Sequence, residues 1–448
     1  MEKTIDMTQG NPMKLLVRFS LPILIGYLFQ QVYTLADRII VGQFVGANAF
    51  SAVGSTTAIT SMFMSMCMGI STGTGVVVAQ YHGAGDEKRT AAAIANGVYI
   101  NLIITVIMTV VSLMATNPIL RLLNTPETLM RDASSYMMIY MGGLIAVTAY
   151  YVPFSILQAL GDSKTPLIFL IFCSILNIVL DIIFVVPLGM GVNGAAIATI
   201  LAQIIAAVCC VAYTYKKISV VRLALKNARP DRNLLVKMTK LGIPTGFQYS
   251  LMYLSSIILQ RVVNGFGESV IGAFTATTQM EVLVEQIYTS MGAAMVTYTG
   301  QNMGAGRIDR IGKGLRDALS ISTLLSVLIM AVFWLFANPI MGIFVDDYEI
   351  ISIAARGIRI TSLFFVAFGA VRIIRYLFSG AGDAVYSLMN GVIEIAARII
   401  LVLFLTSIPS IGIWGIWFTT GLTWLITALF ALWRYKSGKW KTKALISK

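Results

Sequence analysis

Twelve apolar stretches, most of them 20 residues or longer, follow one another along this 448-residue chain. That succession restricts the possible folds more than any other feature. A helix needs about 20 apolar residues to cross a bilayer, and lipid leaves only helices or closed barrels able to satisfy the backbone. The stretches are too long and too uniformly apolar for barrel strands. They predict spans at roughly 15–40, 52–80, 90–115, 132–158, 167–188, 192–215, 240–263, 273–301, 315–337, 353–379, 385–407 and 411–433. Charged residues make up 12% of the chain, against about 25% in a soluble domain. The fold class expected is therefore an all-α integral membrane protein with twelve transmembrane helices.

The net charge of +13 reads as topology. Lys3, Lys14 and Arg18 precede span one; Lys88, Arg89 and Lys164 follow spans two and four; a dense group runs from Lys216 to Lys240. Arg307, Arg310, Lys313 and Arg316 follow span eight, Arg372 and Arg375 are assigned to the exit of span ten, and a basic tail begins at Arg434. The positive-inside rule then places both termini and the even-numbered exits in the cytoplasm. Arg121, Arg131, Arg356 and Arg359 are minor exceptions. No segment is long enough for a soluble basic domain, so nucleic acid is not an expected partner; membrane lipids are. The polar N-terminus, up to about Met13, carries no cleavable secretory signal. Cys67, Cys173, Cys209 and Cys210 lie in apolar runs without metal-type spacing and read as packing residues.

An internal repeat organises the chain. "QYHGAGD" at 80–86 matches "QNMGAGR" at 301–307, "LGD" at 160–162 matches "AGD" at 381–383, "GVNGAAIAT" at 191–199 matches "GIWGIWFTT" at 412–420, and "FSAVGSTT" at 50–57 matches "IGAFTATT" at 271–278. Each pair is offset by 221 residues. Six spans is an even number, so the two bundles share one orientation, related by an axis along the membrane normal. The expected organisation is a first lobe at 1–215, a cytoplasmic linker at 216–239, a second lobe at 240–434 and a basic tail at 435–448. Such duplication builds a cavity that alternating access can open to either side.

The polar residues inside the spans carry the chemistry. Gln30, Tyr33 and Asp37 share one stripe of span one, behind Pro22, whose ring favours a kink. Asn177 and Asp181 lie one turn apart in span five, and Thr199 lies in span six. A carboxylate at bilayer depth costs several kcal/mol, from about 2.5 upward, and marks ion or substrate pathways. Oxygen ligands suit a hard cation such as Na⁺. They suit a proton equally, because two acids in a dry pocket cannot easily both ionise. Two bland readings stand beside this: Asp37 caps the outer helix end with Arg38, or the first-lobe cluster is structural hydrogen bonding. The second lobe carries Glu281 and Glu285 one turn apart, and Glu394 with Arg398 one turn apart. The latter reads as a neutralised pair. Glu281 and Glu285 attract a cationic substrate, or one of them pairs with Arg398. Asp37 and Asp181 have no repeat counterparts (Ile258 and Val402), which makes the ion site a first-lobe property. His82 reads as a loop residue. "GRIDRIGKG" at 306–314 lacks phosphate-loop spacing, and no nucleophile triad or metal motif is present.

Together these residues resemble the multidrug and toxic compound extrusion (MATE) family of antiporters, over nearly the whole chain. The resemblance rests on "SLPILIGYLFQQVYTLAD" at 20–37, the "QYHGAGD" and "QNMGAG" loops, "LGDSKTP" at 160–166, "LNIVLD" at 176–181 and "GVNGAAIAT". It implies two lobes around a V-shaped cavity and export of organic cations or amphipathic drugs driven by entry of H⁺ or Na⁺, with no other cofactor. It implies a cation site at Asp37, Asn177, Asp181 and Thr199, with Gln30 and Tyr33 beside it and a bend in helix one at Pro22. Some members carry a glutamate in span seven, eight residues after its proline. Here that position is Met252, which favours coupling through the first lobe. A monomer in the bacterial inner membrane is expected, and not an enzyme. The rival readings are a lipid-linked oligosaccharide flippase of related fold and a polytopic membrane enzyme. The flippase needs a strongly basic cavity, whereas Arg398 alone reads as intramembrane. The enzyme needs a polar catalytic cluster at one membrane face.

Overall fold

The computed structural model describes residues 4–122, 125–226 and 229–446, without the side chains of Arg38, Ala47, Asn48 and Phe50. Lys3, residues 227–228 of the expected linker, the end of the basic tail and any Asp37–Arg38 pairing fall outside that description. The first half contains α1 (Pro12–Phe44), α2 (Ala47–Gly83), α3 (Glu87–Leu122), α4 (Glu127–Gly142), α5 (Leu144–Ala159), α6 (Lys164–Val185) and α7 (Gly191–Lys217). A short helix, α8 (Ser219–Lys226), leads to the second half: α9 (Arg232–Val263), α10 (Glu268–Gly304), α11 (Ile308–Met341), α12 (Tyr348–Ser362), α13 (Phe365–Ala381), α14 (Ala384–Ser407) and α15 (Gly415–Lys436). Shifting the first seven helices by 221 residues reproduces the second seven to within a few residues at each end.

The repeat extends to irregularities. The fourth span of each lobe is broken: α4 and α5 meet at 45°, α12 and α13 at 54°. Counted as single spans, the broken pairs join eight long apolar helices. The more polar α9 and α10 complete the twelve, six to each bundle. The helices α1 and α9 begin ahead of their apolar stretches, where N-capping groups lie. Asn11 Oδ1 accepts the Met13 and Lys14 N–H groups ahead of α1, and Asp231 Oδ1 accepts those of Asn233 and Leu234 ahead of α9. The segment at 216–239 thus contains α8 and the first turns of α9.

Side-chain partitioning is that of a protein in lipid. Leu102, Ile103, Val106, Ile107, Val110, Val111 and Met114 of α3 are all exposed. Polar groups turn inward and bond between helices: Ser71 Oγ donates to Asn101 Oδ1 (2.7 Å), and Asn101 Nδ2 donates to Thr74 Oγ1 (3.0 Å). Cys209 is exposed on this outer surface, whereas the other three cysteines are buried. Pro22 lies inside α1, which runs through it without a break. Losing one N–H to the preceding turn is tolerated where neighbouring helices hold the segment; α1 lies along α6 and α10.

The lobes meet along α2 with α9 and α1 with α10. Glycines allow backbones to touch there. Gly69 and Gly73 of α2 face Gly242 and Gly246 of α9, where a Cβ would overlap the opposing backbone. At the end of the molecule that carries both termini, Gly83 presses on the Gln301 carbonyl and Gly304 on the Gln80 carbonyl. His82 sits in the last turn of α2 rather than in a loop, and is exposed.

Candidate functional site

Three helices build the first-lobe site. α6 packs against both α1 and α7. This brings Asp37 of α1, Asn177 and Asp181 of α6 and Thr199 of α7 into one neighbourhood. Asn177 Nδ2 donates to Thr199 Oγ1 at 3.2 Å, and the Thr199 hydroxyl donates to the Ala195 carbonyl at 3.1 Å. Asp181 is wholly buried, and the Asp37 charge acts on it. Among the described residues, no donor reaches either Asp181 oxygen or Asn177 Oδ1. Three oxygens are thus left as acceptors inside the protein. A buried carboxylate normally gathers hydrogen bonds or a cation. Tyr33 and Tyr140 lie close enough for Asp37 to act on them, and Gln30 lies beside Tyr151.

The second lobe departs from expectation. Arg372 and Arg375 are not at a cytoplasmic exit. They lie midway along α13, 9% and 4% exposed, among helices α9, α10 and α14. Arg375 Nη2 binds Glu394 Oε2 at 2.7 Å and Asn390 Oδ1 at 2.8 Å. Glu394 is therefore held chiefly by Arg375, with Arg398 one turn along its own helix at 3.6 Å. Glu285 pairs with Arg372 (2.5 Å), not with Arg398. Glu281 feels the Arg398 charge and lies beside Thr361. The premise that Arg398 alone is intramembrane is corrected: three arginines are buried here. Net-positive exits of other spans invited the cytoplasmic assignment. The usable signal was position, because Arg375 lies six residues before the "AGD" that ends the span.

Between the lobes, a cleft of about 510 Å³ is lined by Val41, Val53, Thr57 and Ser61 from the first lobe and Tyr253, Ser256 and Gln260 from the second. These residues lie near the helix ends remote from both termini, so the cleft faces away from the terminal side.

A model of the MatE family matches residues 22–183 and again residues 244–404, one match to each lobe. The probable multidrug resistance protein YpnP of Bacillus subtilis (strain 168) is 28% identical over 99% of both chains. The multidrug export protein MepA of Staphylococcus saprophyticus is 23% identical, over 93% of this chain and 90% of its own. Among solved structures, a MATE protein in the bent conformation superposes with a TM-score of 0.90 at 25% identity, covering 99% of this chain and all of the other. A MATE protein in complex with MaL6 gives 0.92 at 24% identity, covering 98% and 100%. With its two duplicated six-span bundles and a match in each, the chain belongs to the MATE family of transporters.

Proposed function

We propose that the protein is a secondary active exporter in which entry of H⁺ or Na⁺ at the first-lobe site drives amphipathic or cationic small molecules out of the cell. The observation that carries this reading is Asp181, fully buried beside Asp37 and Asn177, with no donor to either oxygen among the described residues. A single cation, proton or sodium, supplies what these acceptors lack. By the positive-inside rule the terminal side is cytoplasmic, so the interlobe cleft faces outward. In that state the ion enters, the lobe loses negative charge, and cargo is released outward. The lobes then rock, the ion leaves inward, and the recharged site favours new cargo. Coupling requires that ion and cargo bind the two states unequally. MATE structures described as bent and as straight both superpose on this chain, which supports a fold that takes more than one conformation. The continuous α1 seen here is then one position of a helix able to flex at Pro22.

The flippase reading gains from three buried arginines. It loses from Glu281, Glu285 and Glu394 among them, which cancel their formal charge where a pyrophosphate would need a surplus.

Dye efflux from reconstituted vesicles under separately imposed pH and Na⁺ gradients tests the proposal. One gradient should drive efflux, and Asp37→Asn and Asp181→Asn should lose that drive while remaining in the membrane. Undiminished gradient-driven efflux by both variants would overturn it.

A further inference from the structure

The second-lobe cluster balances in charge but not in hydrogen bonds. Each guanidinium has five N–H donors in a fixed fork. Arg372 gives Nη2 to Glu285, and Arg375 gives Nη2 to Asn390 and Glu394. The Nη1 atoms of both arginines point instead at one atom, Met252 Sδ, at 3.4 and 3.5 Å. A thioether is a weak acceptor. Among the described residues, the Nε groups of Arg372, Arg375 and Arg398 meet no acceptor at all. Buried charged donors left in this state are costly, and three in one cluster exceed what packing alone explains.

Deepening the transport reading and resting on it, we propose that Arg372 and Arg375 dock the carboxylate of an amphipathic cargo, with Met252 as the side chain that moves aside. The two Nη1 groups come from residues three apart on α13, so they lie on one helix face and converge. A carboxylate oxygen in place of the sulfur would receive two charge-assisted bonds. Met252 is unbranched and adapts readily. It is half-buried, and the adjoining Tyr253 is 43% exposed in the interlobe cleft, so a ligand in the cleft has a route to the arginines. The Glu285 side chain is 28% exposed on the same cluster, and Phe368 holds the Arg372 guanidinium over its ring at 5.2 Å.

The test compares a rhodamine bearing a free carboxylate with its methyl ester, by fluorescence polarisation on the purified full-length protein. The acid should bind about tenfold more tightly than the ester, the worth of one charge-assisted bond, and benzoate should displace the acid selectively. In Met252→Glu the protein's own carboxylate fills the position and the preference should vanish; in Met252→Gln it should persist. Equal affinity of acid and ester for the unaltered protein overturns the proposal without needing any variant. So does an unchanged ratio in Met252→Glu. Gradient-driven efflux of the ester by the unaltered protein is measured alongside. If efflux is present while affinities are equal, only the arginine site fails; if it is absent, the transport reading fails as well.

Discussion

Gln80 and Gln301 hold the lobes together by the same bond made twice. Gln80 Nε2 donates to the Gly380 carbonyl at 3.1 Å, and Gln301 Nε2 donates to the Ala159 carbonyl at 2.9 Å. Donors and acceptors are each 221 residues apart, so the contact obeys the pseudo-twofold axis. The other end of each amide takes a terminal segment: Gln301 Oε1 accepts the Met7 N–H and Gln80 Oε1 accepts the Leu445 N–H, at 2.9 and 2.8 Å. Both glutamines are fully buried.

This latch has to open if the lobes rock. Gln80→Ala with Gln301→Ala removes four bonds, three of them buried, each worth about 1 kcal/mol net. A destabilisation of even ~3 kcal/mol would shift a two-state equilibrium more than a hundredfold. Spin labels at the exposed positions Asp86 and Arg307 should therefore report a longer separation in the double variant. An unchanged distance distribution would mean that the latch does not hold the terminal side shut.

Gly161 and Gly382 occupy corresponding turns, with φ of +87° and +93°. A Cβ at Gly161 would strike the Ile5 carbonyl, and one at Gly382 the Lys443 carbonyl. Left-handed backbone costs a non-glycine residue about 1–2 kcal/mol before any clash. Gly161→Ala should release the N-terminal segment, which otherwise bonds through Ile5 N–H to the Gly161 carbonyl at 2.8 Å. Limited proteolysis between residues 4 and 10 should accelerate in Gly161→Ala alone, and cleavage near Lys443 in Gly382→Ala alone.

The second-lobe network predicts an order of damage. Glu394 serves both Arg375 and Arg398, so Glu394→Gln takes the shared carboxylate charge from two buried guanidiniums, whereas Arg375→Met leaves Glu394 with Arg398. Breaking one buried pair costs about 3–5 kcal/mol. Thermal unfolding in detergent should place Glu394→Gln below Arg375→Met, with both below the parent. The reverse order would show that Arg398 does not depend on Glu394.

The duplication, the helix count and the first-lobe cluster were legible because each leaves a local mark. Repeated strings fix the 221-residue offset, and a lone acid in an apolar run is conspicuous. Asn177 and Thr199 followed from helical spacing and the resemblance. Arg372 and Arg375 were misplaced because arginine near a span end usually serves topology, and their partners Glu285, Asn390 and Glu394 lie on other helices, 15 to 87 residues away. The Gln80 and Gln301 bonds were hidden for the same reason. The motif strings were visible, but their acceptors, Gly380 and Ala159, are backbone carbonyls that no side chain announces. The bends within the fourth spans were missed because each break is only a residue or two long.

Two buried aspartates of the first lobe, nineteen residues apart, should respond in opposite ways. Asp162 has its acceptors satisfied: Oδ1 takes the Lys164 and Thr165 N–H groups at 3.0 Å, and Oδ2 takes the Thr165 hydroxyl at 2.6 Å. It caps α6, and Asp162→Ala should cost about 1–2 kcal/mol of stability while leaving the preference between H⁺ and Na⁺ unchanged. Asp181 is as deeply buried, yet neither oxygen has a donor among the described residues. Asp181→Asn removes a charge that the fold does not compensate, so its unfolding temperature should match or exceed that of the parent. Gradient-driven efflux should nevertheless fall to the rate seen without a gradient. Thermal melts and vesicle efflux on the same preparations separate the two roles. If Asp181→Asn melts well below the parent, Asp181 is a structural carboxylate and the coupling site lies elsewhere.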